Sequence, residues 1–250
     1  MKHKRSYFAG SIGIAVGLTA LAAAPATADT RRFGLTSFDR IEVLGDMIVD
    51  IVTDYRISAV AEAPRSAIET LSMEVHDRTL VVRQVAEGAF GPRRASDGPI
   101  RIRLRVPALQ QVMLRGSGQV NAGGLRGHAI SVNVDGPGRV QASILRGETV
   151  QLRVVGAGQI VVSGAARDLA AVINGAGSID AAAFTVRDLT VQSVGTGSSQ
   201  FAANHTANIV AGGSTNIVVT GHARCTVRNI GAGTVSCGAA SRAPLPSTAN

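Results

Sequence analysis

The sequence predicts an all-β fold, a parallel β-helix (solenoid) of about seven coils, each of about 18–20 residues, with a small N-terminal β cap. Three observations carry this. A Gly-x-Gly motif recurs at near-constant spacing, apolar residues between the motifs alternate with a period of two, and the 29 glycines are too dense for helices. A β-prism or a sandwich of hairpins is the runner-up, because the same bends could close antiparallel pairs.

The first segment, 1–28, reads as a signal peptide. Lys2, Lys4 and Arg5 precede an apolar stretch from about Phe8 to Ala24, and Ala26-Thr27-Ala28 offers small residues for cleavage before Asp29. An uncleaved anchor is the rival reading of this stretch; after cleavage no integral membrane segment is expected. Periplasm, outer surface and the medium are all open as destinations. Loss of the three leader cations takes the net charge from +8 to +5, and every basic residue that remains, His aside, is Arg. Nucleic acid is a poor partner for such a chain, which has no Trp and no basic run interleaved with aromatics.

Residues 29–106 read as a β segment that caps the solenoid. Ile41, Val43, Met47, Val49 and Ile51 suggest one or two strands around a Gly45-Asp46 turn, and Val75 and Leu80-Val81-Val82 flank a turn at His76-Asp77-Arg78. Residues 86–99 are rich in Gly, Pro and charge and read as an exposed loop. Ile100, Ile102, Leu104 and Val106 then alternate with Arg101, Arg103 and Arg105, an amphipathic strand whose arginines face water or line a sheet edge.

Residues 107–238 carry the repeats. Gly116-Ser117-Gly118 returns at Gly136, Gly156, Gly175 and Gly195, in a degraded copy as Gly213-Ser214-Thr215, and again at Gly231. Before each motif apolar residues alternate, as in Ile130, Val132 and Val134 or Val150, Leu152 and Val154. After it stand Val120, Val140, Ile160, Ile179, Ile217 and Val235, with Ser199 alone breaking the column. Each repeat therefore reads as strand, glycine bend, strand and return turn, too small to fold alone and stable only when stacked. The tail, 239–250, has the composition of a disordered segment.

Within the last repeat, Cys225 and Cys237 are the only cysteines. An even count in an exported chain, with no zinc-like spacing, favours a structural disulfide over a metal site. Both residues fall in inward columns, where a bridge would staple the final coil and add about 3 kcal/mol.

Pro107-Ala108-Leu109 followed by Gly116-Ser117-Gly118 and its successors resembles the bacterial head GIN domain family, often labelled an auto-transporter adhesin. The segments from Phe38 to Val52 and from Leu71 to Val82 resemble the family's leading part, and the likeness spans about Phe33 to Gly238. It implies a β-helical fold, export and an adhesive role, and brings no catalytic or ligand residues. An auto-transporter carries its own outer-membrane barrel, and no such stretch follows Gly238, so general export is the expectation.

The candidate ligand-binding residues are Arg126, Arg146, Arg167 and Arg187, which precede successive coils by comparable margins. Stacked about 5 Å apart on one edge, neighbouring charges would repel by about 0.8 kcal/mol in water, easily tolerated with Glu148, Asp168 and Asp188 beside them. Such a ladder is either a solvated turn or a grip for an acidic glycan or lipid head group, because the guanidinium fork fits carboxylate and phosphate. Homo-oligomerisation is left open. No catalytic residues, cofactor or metal are expected: the carboxylates are scattered, His128, His205 and His222 fall at unequal positions, and aromatic platforms for sugars are scarce. The function expected is a binding or adhesion module of the cell envelope, with a structural envelope protein or a glycan-active enzyme as the alternatives.

Overall fold

The computed structural model describes residues 29–85 and 99–238, apart from the side chains of 145 and 146; the leader, the tail and nearly all of the 86–99 loop expected from the sequence lie outside the described residues. The described residues are 75% strand and 3% helix and wind into about six stacked turns, one fewer than the motif count suggested. In order the elements are β1 (Asp29–Phe33), β2 (Arg40–Leu44), β3 (Met47–Thr53), β4 (Ser58–Ala63), α1 (Arg65–Glu69), β5 (Leu71–His76), β6 (Thr79–Gln84), β7 (Ile100–Val106) and β8 (Gln111–Arg115). Then follow β9 (Gln119–Asp135), β10 (Arg139–Gly156), β11 (Gln159–Gly175), β12 (Ser178–Gly195), β13 (Ser198–Gly213), β14 (Asn216–Thr220), β15 (Arg224–Asn229) and β16 (Thr234–Cys237).

Parallel ladders join β9 to β10, β11, β12 and β13 in turn, so each coil pairs with the next along most of its length. The inward columns are as the alternation requires. Val120, Val140, Ile160, Ile179 and Ile217 are fully buried, as are Val132, Leu152, Ala171, Val191 and Ile209. Ser199, which breaks the column, is also buried, and its hydroxyl accepts the Ile179 N–H at 3.0 Å. Thr215, standing where other coils have the second glycine, donates to the Gly197 carbonyl at 3.1 Å and meets Ser193 Oγ at 3.0 Å. A polar pair thus replaces an apolar contact without leaving either hydroxyl unpartnered.

The glycines of the motif are held by two demands together. Gly136 and Gly175 have φ of +112° and +120°, where a side chain is strained, and each sits on the glycine one coil below. A Cβ on Gly175 would lie 2.5 Å from the Gly156 carbonyl oxygen. The column starts earlier than the motif does: Gly45, with φ +119°, is the glycine on which Gly116 rests.

That stacking revises the reading of residues 29–106. β2 and β3 form a full coil of the stack, parallel to β8 and β9 on one side and to β6 and β7 on the other. The amphipathic strand β7 does lead in sequence to the first motif, but in space the β2–β3 coil lies between them. Antiparallel strands cover the far side of β6 and β7: β5 pairs with β6, and β4, with β1 outside it, pairs with β7. Arg101, Arg103 and Arg105 are therefore on the exposed face of an interior strand and not on an edge. Arg103 meets Glu62 at 2.9 Å and Arg105 meets Asp54 at 3.3 Å. The His76-Asp77-Arg78 turn is a hairpin, with Asp77 and Arg78 at φ 47° and 63°, and Arg78 binds the nearly buried Asp39 at 2.8 Å.

The return between motifs is a strand too. Pairing runs through it with local register shifts, for example between Ile144 and Gly147, and it supplies a third inward wall. Leu125, Ile144 and Phe184 come from this wall, with Gly164 level with both Ile144 and Phe184. Phe184 and Phe201 are the largest of the fully buried side chains among the described residues.

Candidate functional site

The return wall carries the charged residues singled out in the sequence. Arg126 and Arg146 are register partners. Arg167 and Arg187 are also level with each other, between the pairs Ala166–Val186 and Asp168–Asp188. The two arginine pairs are not continuous. Thr149 pairs with Asp168, so the shorter coil at this point sets Arg167 level with Glu148 and not with Arg146. The expected four-arginine ladder is two short ladders offset along the wall, with a carboxylate at the junction.

At that junction the surface has a shallow notch lined by Arg126, Gly127, His128, Gly147, Glu148 and Arg167. Gly127 and Gly147, which are register partners, both line it. Glu148 spans the notch: one oxygen lies 2.5 Å from His128 Nδ1 and the other 3.1 Å from Arg167 Nη1. Arg167 Nε also meets Asp168 at 3.2 Å. His128 and Glu148 are one 20-residue repeat apart, and the register through the return, with Gly127 paired to Gly147 and Ala129 to Thr149, keeps them level. Arg126 has no ion-pair partner among the described residues.

A second cluster lies further along the wall. Asp188 accepts a hydrogen bond from Thr206 Oγ1 at 2.5 Å and interacts with His205 Nδ1 at 2.8 Å, with Arg187 Nε at 3.4 Å. The Thr206 hydroxyl bond, then His205, hold this carboxyl below the ordinary aspartate range. Arg224 reaches His205 Nε2 at 3.4 Å. No group of three or more His, Cys, Asp or Glu among the described residues could hold a metal ion.

Cys225 and Cys237 are joined by a disulfide, with Cα atoms 6.4 Å apart. Their neighbours in register are Ala207 and Val219, both buried, so the cysteines continue inward columns. Cys225 is nevertheless exposed and Cys237 half-buried, because among the described residues no coil lies beyond them.

The family profile described as "putative auto-transporter adhesin, head GIN domain" matches residues 37–223. No curated protein matches the chain. A solved "putative adhesin" from Bacteroides fragilis superimposes with a TM-score of 0.72 at 17% identity, covering 84% of this chain and 97% of that one. A "putative lipid binding protein" from Parabacteroides distasonis gives 0.67 at 14%, with coverages of 85% and 97%. A "putative adhesin" from Parabacteroides merdae gives 0.60 at 17%, again with 85% and 97%. At these identities the likeness shows a common fold. No helix among the described residues is long and apolar enough to cross a membrane.

Proposed function

The chain belongs to the head GIN domain family, and from that premise we propose that it is an exported binding module whose return wall engages anionic groups on a surface. The ligand chemistry is a carboxylate or phosphate carried by an acidic glycan or a lipid head group. One observation carries this reading: Glu148 sits as an internal carboxylate in a shallow notch, against His128 and Arg167 and near Arg126. A ligand oxygen in place of Glu148 would meet the same donors, since guanidinium and imidazolium hydrogen-bond carboxylate and phosphate alike. The offset of the arginine pairs makes the wall a row of short cationic patches separated by acids, suited to a polymer with spaced charges. The interactions are exposed and individually weak, so strength comes from repetition along the rod.

Replacing Arg126, Arg146, Arg167 and Arg187 together by Gln tests the assignment. The expected result is loss of binding to polygalacturonate or to phosphatidylglycerol vesicles; the two probes separate the glycan source from the lipid one. Glu148→Gln, which removes the competing carboxylate, is expected to strengthen whichever binding is seen. Binding unchanged in the fourfold variant refutes the proposal.

A further inference from the structure

The two ends of the stack differ. At the first, antiparallel strands cover the outer coil. At the second, β15 and β16 pair only with β13 and β14, and no strand among the described residues takes up their outer edges. The backbone direction can be worked out residue by residue. Ile230 N–H bonds inward to Ala211, and Thr234 N–H bonds inward to Thr215. In a strand the N–H and C=O of one residue point to the same side and alternate along the chain. The groups of Cys225, Val227 and Asn229 in β15, and of Val235 and Cys237 in β16, therefore point outward with no ladder partner.

The side chains around this edge are of two kinds. Cys225 and Val227 continue the inward columns of Ala207 and Ile209, and Val227 is 43% exposed only for want of a covering coil. Arg224, Thr226 and Arg228 alternate with them on the outer face of the same strand. The charge is one-sided over a long stretch: no Asp or Glu occurs after Asp188 anywhere in the sequence. A second copy of this edge would bring Arg224 and Arg228 against like charges, and the chain's own tail has Pro244 and Pro246, which lack the N–H that a ladder needs.

We propose that the β15 edge is a docking site for an extended segment of another protein in which apolar and acidic residues alternate. Such a strand would add to β15 by main-chain hydrogen bonds. Its apolar residues would cover Val227 and the Cys225–Cys237 disulfide, and its carboxylates would lie level with Arg224 and Arg228. A segment as long as β15 itself would match the edge. This surface is separate from the notch at Glu148, so neither reading depends on the other.

The test uses the full mature chain, a blocked hexapeptide alternating Val and Glu, and the same peptide with Lys for Glu. Amide exchange and chemical shifts are followed by NMR, with circular dichroism to monitor the fold. The Glu peptide is expected to bind and to slow exchange at the Cys225, Val227 and Asn229 amides, while the Lys peptide does not bind. Arg224→Glu combined with Arg228→Glu is expected to weaken binding at least about tenfold. Val227→Pro, which removes an outward N–H while sparing the inward ladder, is expected to abolish it. The proposal is overturned by no binding, by equal binding of the Lys peptide, or by full binding to folded Val227→Pro. Amides at Cys225, Val227 and Asn229 already protected in the free protein would overturn it too, since the tail or a second copy would then hold the edge.

Discussion

Two glycines with the same backbone torsion allow the stacking argument to be tested quantitatively. Gly45 and Gly116 both have φ of +119°. Alanine at either position suffers the strain of that torsion, about 1–2 kcal/mol. They differ in what lies below. A Cβ on Gly45 would meet, among the described residues, only the tip of the Met47 side chain at 3.7 Å, an ordinary contact. A Cβ on Gly116 would lie 2.8 Å from the Gly45 carbonyl oxygen and 3.2 Å from its Cα and carbonyl carbon. Backbone cannot rotate away as a side chain can, so two coils must separate, at a further cost of about 1–3 kcal/mol. With a urea slope of about 3 kcal/mol per M, Gly45→Ala should lower the unfolding midpoint by about 0.5 M and Gly116→Ala by about 1 M. Circular dichroism during urea titration reads both. Equal shifts for the two variants would show that torsion alone fixes these glycines, and the close-approach argument would fail.

Two other perturbations probe the wall and the open end. Asp188 titrates below its unfolded value because Thr206 and His205 favour the carboxylate, so its contribution to stability is present above the ordinary aspartate pKa of about 3.9 and is lost as pH falls through the lower folded value. Asp188→Asn should remove that part of the acid sensitivity, while an unchanged stability profile below about pH 4 would contradict the assignment. Reducing the Cys225–Cys237 bridge should cost about 3 kcal/mol at most and act locally, raising hydrogen exchange in β15 and β16 while β9–β12 remain protected; uniform loss of protection would contradict a role confined to the last coil.

Much of this molecule was legible before any coordinates. The two-residue alternation identified the inward columns, so Val132, Leu152 and Ile209 lie where the pattern put them, and the glycine motif marked the bends. Both signals are local to one coil, set by strand geometry and by torsions that only glycine accepts easily. The cysteine pairing followed from count and column. The return segments were harder to read, because Phe184 and Phe201 sit in stretches whose register shifts break the period, and a shifted pattern resembles a turn.

The place of the N-terminal coil and the local offset across the return wall belong to the tertiary structure alone. Alternation fixes which side of a strand faces inward, but it is silent on which coil lies against which. Long-range closure put the β2–β3 coil between β7 and the first motif. The slight shortening of one coil is a small change in the sequence, yet across the return wall it replaces an arginine neighbour of Arg167 with Glu148. The exposure of Cys225 has the same origin: burial of an inward residue depends on a coil above it, and the residue's own sequence pattern carries no record of whether one is there.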